Sequence, residues 1–143
     1  MATKKATVQQ VSGITFAGKT DTNHWVMMDG PSDFGGSDAA IRPKELLLLS
    51  LGGCTGSDVA SILTKKRIPY SNLKLELEAE VSDTQPQVYT RINIHYIVEG
   101  KNINPADVEK AIALSQEKYC GVTKMLKASI DITTSFELVT QED

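Results

Sequence analysis

The stretch LLLLSLGGCTGSDV, residues 46–59, constrains the fold more than any other. Leu46 through Leu51 is apolar almost all round, so a helix built from it needs neighbours on every face. Pro43 suits the first turn of that helix, with Lys44 and Glu45 following. Lys65, Lys66 and Arg67 complement the dipole at the far end, and Pro69 stops it. One helix from Pro43 to Arg67 is predicted, amphipathic in its second half through Val59, Ile62 and Leu63. Gly52, Gly53 and Gly56 each cost about 1 kcal/mol relative to Ala in a helix interior, and Cys54 sits among them. A chain of 143 residues suits one domain, but it is short for a monomer that buries such a helix completely. Dimerisation around the helix is the natural solution.

The rest of the chain reads mainly as strands. Thr7 to Phe16 is one β-rich run interrupted at Gly13, and His24 to Met28 is its hairpin partner across the turn GKTDTN. Asp29 to Ala40 is a glycine- and serine-rich loop, long enough to suggest function or mobility. Leu73, Leu75, Leu77, Ala79 and Val81 alternate with charged residues, as do Ile92, Ile94, Tyr96 and Val98 with mostly polar ones. One wet and one buried face indicate antiparallel sheet. Asn104 caps a second helix with Pro105 at its first position; Val108, Ala111, Ile112, Ser115 and Tyr119 share its stripe, and Gly121 suits the C-cap beyond Cys120. VTKMLKAS suits a short helix, and Ile130 to Leu138 a closing strand. The order β-β-α-β-β-α-β with hairpins indicates an α+β fold.

Several classes of function are disfavoured. A formal charge of −3 gives no reason to expect a nucleic acid or an anionic membrane as partner. The densest apolar run, Leu46 to Leu51, falls far short of the roughly 20 residues that span a bilayer. MATKKATVQQ lacks the apolar core of a secretory signal, so a cytoplasmic location is expected. There, two cysteines are reduced thiols, and a bridge between them is a redox event.

Cys54 and Cys120 are far apart in sequence and form no CxxC pair. His24 and His95 are isolated on predicted strands and read as surface or core-edge residues rather than metal ligands. Gly52, Gly53 and Gly56 lie inside an apolar helix, not after a strand, so they do not form a phosphate loop. Two readings of Cys54 remain open. It is a small buried residue where helices pack closely, or a thiol that the flanking glycines expose to a substrate. Ser50 and Asp58 stand one turn either side of it on the same face. A carboxylate there opposes thiolate formation unless a cation neutralises it; otherwise Asp58 is simply a solvated or paired acid.

RPKELLLLSLGGCTGSDVASIL and EKYCGVTKMLKASI together resemble the OsmC/Ohr family, the osmotically inducible and organic-hydroperoxide-resistance proteins. The similarity spans about residues 10–139 of a single domain, with 1–5 and 140–143 as tails. The resemblance implies an intertwined homodimer in which sheets flank long central cysteine-bearing helices. It also implies a thiol peroxidase acting on organic hydroperoxides, with Cys54 peroxidatic, Cys120 resolving, and a dithiol, in the family often a lipoylated protein, as reductant. No metal or organic cofactor is implied.

This sequence departs from that pattern in two places. Peroxidatic members carry Glu immediately after the Pro, where this chain has Lys44; Glu45 follows, about 100° further round the helix. They also carry an Arg in the early strand region, where FAGKTDTN offers Lys19. Lys19 supplies charge without the two-pronged guanidinium, and Arg42 is a second cation near the helix start. The chain thus resembles a less characterised branch of the family. The alternatives are a weakly active or non-catalytic protein holding a hydrophobic small molecule at the dimer interface, and a structural dimer or redox sensor.

Overall fold

A computed structural model describes residues 1–141. The chain forms two compact units, residues 1–48 and the remainder from Leu49. In the first, β1 (Ala6–Ser12), β2 (Thr15–Thr20) and β3 (Trp25–Met28) make an antiparallel meander. Gly13 therefore does not interrupt one strand; it turns the chain over between two. Its φ of +55° suits glycine, and a Cβ there would lie 2.6 Å from the Gly35 carbonyl oxygen. Gly18, Lys19 and Thr20 belong to β2, and the turn begins at Asp21, with Asn23 left-handed at φ +62°.

The glycine-rich segment after β3 is built around Asp29, whose side chain is 1% exposed. Its carboxylate accepts from the N–H groups of Gly30, Ser37 and Ala39 and from the Thr15 hydroxyl. Burial pushes its pKa up, but these donors outweigh burial and hold it at about 2. A Cβ on Gly36 would overlap the Gly30 carbonyl oxygen, so only glycine closes the loop.

Helix α1 covers Glu45–Lys65. It starts later than Pro43 because the entering turn is tighter: Leu46 N–H reaches Pro43 O and Leu47 N–H reaches Lys44 O, both at 3.2 Å. Glu45 Oε1 accepts from Arg42 N–H at 3.0 Å, the backward half of a capping box. The helix ends before Arg67 because that residue is left-handed, at φ +58°. Ile68 N–H bonds Leu63 O and Arg67 N–H bonds Thr64 O, each at 3.0 Å, a Schellman closure.

The second unit carries a sheet in the order β4 (Tyr70–Val81), β5 (Tyr89–Gly100), β6 (Asp131–Thr140). β4 and β5 are antiparallel, whereas β5 and β6 are parallel. Alternation alone suggested antiparallel pairing throughout. The helical segment between β5 and β6 carries the chain back to the starting end, as a parallel pair requires. Thr140 lies within β6 rather than in a tail, and residues 142–143 lie outside the described residues.

The core forms where one face of β5 meets α1 and α2 (Pro105–Leu114). Ile92, Ile94, Tyr96 and Val98 are fully buried, as are Leu51, Thr55, Val59 and Leu63 of α1 and Val108 and Ala111 of α2. Each large aliphatic side chain so buried contributes about 1.5–3 kcal/mol. By length and composition α1 could cross a bilayer, contrary to the expectation from Leu46–Leu51 alone. Its buried stripe nevertheless packs on protein, while Leu47 and Leu49 remain exposed in the single chain.

Candidate active site

Cys54 stands midway along α1, half-buried, and its flanking glycines have different tasks. A Cβ on Gly52 would come 2.9 Å from Leu77 Cδ1, and one on Gly56 would come 3.3 Å from Leu75 Cδ1. These two let the leucines of β4 close onto the helix. Gly53 would meet nothing within 4 Å, so the helix surface beside the thiol is open.

Cys120 reaches the same place by a route that 3.6-residue periodicity does not foresee. After α2 the chain widens into a π-turn, Ser115–Tyr119, closed by Cys120 N–H on Ser115 O at 2.8 Å. The extra residue rotates Tyr119 off the predicted stripe, leaving it 54% exposed, while Ser115 stays buried. Cys120 is then the N-cap of α3 (Gly121–Leu126), its Sγ accepting from Thr123 N–H at 3.4 Å. Gly121 begins a helix instead of capping one.

The ligand atoms of Cys54, Cys120 and Asp58 all lie within 4.8 Å of one another. Both cysteines are free thiols, and Cys120 is 3% exposed. Burial pushes the Cys120 thiol pKa up; the Thr123 hydroxyl and N–H oppose this, and the neighbouring Cys54 adds to it.

A buried chain of hydroxyls runs up to this cluster. Ser115 Oγ donates to Asp58 Oδ2 at 2.8 Å. A carboxylate only accepts, so that bond fixes the direction of the others. Thr55 Oγ1 must donate to Ser115 Oγ at 2.7 Å, and the Tyr96 hydroxyl to Thr55 Oγ1, also at 2.7 Å. Gln116 Nε2 adds a bond to Thr55 at 3.0 Å, and its Oε1 accepts from Thr123. Burial raises the Tyr96 pKa to about 12; Thr55 and Gln116 oppose the shift, and the charges of Cys120 and Asp58 add to it. The phenol thus stays a proton donor. Sequence reasoning missed Thr55, Tyr96 and Ser115 as a group. Their signal was one polar residue on each of three core-facing stripes.

The other sequence candidates lie in the first unit, each with a local partner. Arg42 Nη2 pairs with Asp38 Oδ1 at 2.7 Å and its Nη1 reaches Ala40 O at 3.2 Å. Glu45 caps the Arg42 backbone. Lys19 bonds Asn23 Oδ1 at 3.4 Å and lies 5.2 Å from the Trp25 ring centre. In the second unit, His95 is not isolated: across β5 and β6 it bonds Ser135 Oγ at 2.8 Å and Glu137 Oε1 at 3.0 Å. Beside the thiol cluster, Asp58, Ile62, Leu114, Tyr119, Lys65 and Lys66 line a cleft of about 370 Å³.

Residues 35–135 match the family described as OsmC-like protein. The chain belongs to the OsmC-like family. It is 40% identical over 135 residues to protein YhfA of Escherichia coli strain K12, covering 94% of this chain and 98% of that one. A crystal structure of a hypothetical protein from Aquifex aeolicus VF5 superposes with a TM-score of 0.86 at 33% identity, covering 99% of this chain and 100% of that one. An organic hydroperoxide resistance protein OsmC from Legionella pneumophila superposes at 0.71 with 16% identity over 96% and 98% of the two chains, a likeness of fold. The OsmC-like fold thus accounts for the α+β architecture with a long cysteine-bearing helix.

Proposed function

We propose that this OsmC-like protein is a thiol peroxidase that reduces organic hydroperoxides through Cys54 and Cys120. The observation that carries the reading is the meeting of the two sulfurs within 4.8 Å, from elements far apart in sequence. The thiolate of Cys54, on the half-open side, attacks the terminal peroxide oxygen. The O–O bond breaks, the alcohol leaves with a proton, and Cys54 becomes a sulfenic acid. Cys120 gives up its proton by way of Asp58 as it attacks that sulfur; the S–O bond breaks, the sulfenic oxygen leaves as water with that proton, and the disulfide forms. An external dithiol, such as a lipoylated protein, returns the two electrons. The sulfurs close to about 2 Å in that step.

Asp58 is the acid nearest both sulfurs, and in this reading it receives and returns the protons that the two steps move. Arg42, Lys19 and Glu45, each held by a local partner in the first unit, are given no step in this reading. Exposed Leu47 and Leu49 on α1, with Val8, Val11 and Trp25 of the first unit, support a homodimer that covers them. Free thiols suit a reducing compartment such as the cytoplasm.

The test is stopped-flow consumption of cumene hydroperoxide against hydrogen peroxide, with dihydrolipoamide as reductant. Cys54→Ser is expected to abolish turnover, and Cys120→Ser to stop after one equivalent with a dimedone-reactive Cys54. Undiminished turnover by Cys54→Ser rejects the reading.

A further inference from the structure

We propose that Cys54, Asp58 and Cys120 form a binding site for a borderline-soft divalent cation of the zinc class. Their three donor atoms lie within 4.8 Å of one another. Two thiolates and a carboxylate make a donor set that zinc accepts, with Zn–S about 2.3 Å and Zn–O about 2.0–2.2 Å. Around a tetrahedral ion, such ligand atoms stand roughly 3.5–4 Å apart, so the cluster needs to contract only by about 1 Å. Mg²⁺ and Ca²⁺ call for shells of oxygen and do not suit two sulfurs.

The supporting scaffold fits the same purpose. Cys54 and Asp58 are one turn apart on α1, so a single helix face presents both. Cys120 comes from a separate element, as the N-cap of α3. Outer contacts that orient metal ligands are already made: Ser115 holds Asp58 Oδ2 at 2.8 Å, and Thr123 N–H points at Cys120 Sγ at 3.4 Å. The hydroxyls of Thr55 and Tyr96 in turn fix Ser115. Among the described residues the cluster has three members, so a water or an exogenous ligand completes four-coordination.

The consequence is exclusion. An ion bound here occupies both sulfurs, and a Cys54–Cys120 disulfide leaves no thiolate to bind it. Metal-bound and disulfide states are alternatives at one locus. The inference uses the same two thiols as the peroxidase reading but requires no peroxide chemistry.

The experiment titrates Zn²⁺ into the reduced, metal-free chain without oxygen, in competition with a chromophoric chelator. A parallel Co²⁺ titration reads thiolate-to-metal charge transfer. One ion per chain is expected, with a charge-transfer band. Cys54→Ser and Cys120→Ser each lose the normal band and more than about 100-fold in affinity, while Ser115→Ala, with all three ligands intact, loses about 10–100-fold. Chain oxidised to the disulfide binds none. Circular dichroism of Cys54→Ser, a near-isosteric change at a half-buried position, verifies that its fold is kept. No stoichiometric binding to the reduced chain, or binding unchanged in Cys54→Ser, overturns the proposal. Because no peroxide is present, a chain that binds zinc but reduces no peroxide supports this inference while rejecting the peroxidase.

Discussion

Replacing Thr55 by Val keeps the outline of a fully buried side chain and deletes the hydroxyl at the centre of the polar chain. That hydroxyl bonds Tyr96 and Ser115 at 2.7 Å and Gln116 at 3.0 Å. The Tyr96 O–H loses its acceptor in the core, which costs about 1–3 kcal/mol. Ser115 keeps Asp58 and Gln116 Nε2 keeps the Tyr96 oxygen at 3.4 Å, so their losses add only about 0.5–1 kcal/mol each. The sum is about 2–5 kcal/mol, or roughly 10 °C in Tm for a chain of this size. Urea unfolding of the reduced protein should give that loss as a lower midpoint with an unchanged m value. Thr55→Ser, which retains the hydroxyl, should stay within about 1 kcal/mol of the parent. Pairing Thr55→Val with Tyr96→Phe removes both ends of the short bond, so the double variant should lose less than the sum of the singles by about 1 kcal/mol or more. A Thr55→Val protein as stable as Thr55→Ser, or a cycle that closes additively, would refute the directed chain.

Three further outcomes follow from the fold. The folded Asp29 pKa of about 2 lies below the ordinary carboxylate range, so the stability it contributes is complete above about pH 4 and is lost as pH falls through about 2; Asp29→Asn should flatten the acid-unfolding profile over that window. Gly36→Ala should destabilise by more than about 1 kcal/mol, read by thermal unfolding, because its Cβ meets the Gly30 carbonyl and comes 2.8 Å from Asp29 Oδ1. Arg67→Gly should stabilise by about 0.5–1 kcal/mol in the same assay, because a left-handed C′ position costs any residue with a Cβ.

Much of the architecture was legible because periodicity and stop signals are local. The alternations of β4 and β5, Asn104 with Pro105, and Pro69 after the basic cluster each mark an element within a few residues. What escaped was set by chain geometry that side-chain pattern does not encode. Gly13 reverses the chain because its φ is +55°, and nothing in TVQQVSGITF separates a bulge from a turn. The π-turn at Ser115–Tyr119 shifts the register by one residue and so decides that Cys120 caps α3 and faces Cys54. Parallel pairing of β6 depends on where the crossover returns the chain, a tertiary matter. Within the site, the two thiols were visible as residues, but their proximity followed only from the family resemblance and not from spacing. Asp58, a complication on the helix wheel, proves to be the anchored end of a hydroxyl chain.

The proximity of the two sulfurs is tested most directly by treating the reduced protein with one equivalent of cumene hydroperoxide and mapping the product by non-reducing peptide mass spectrometry. The expected product is a peptide pair joined through Cys54 and Cys120 of the same chain, with loss of two hydrogens and no free thiol. Recovery of both thiols intact, or a bridge joining Cys54 to Cys54 of another chain, would contradict the account.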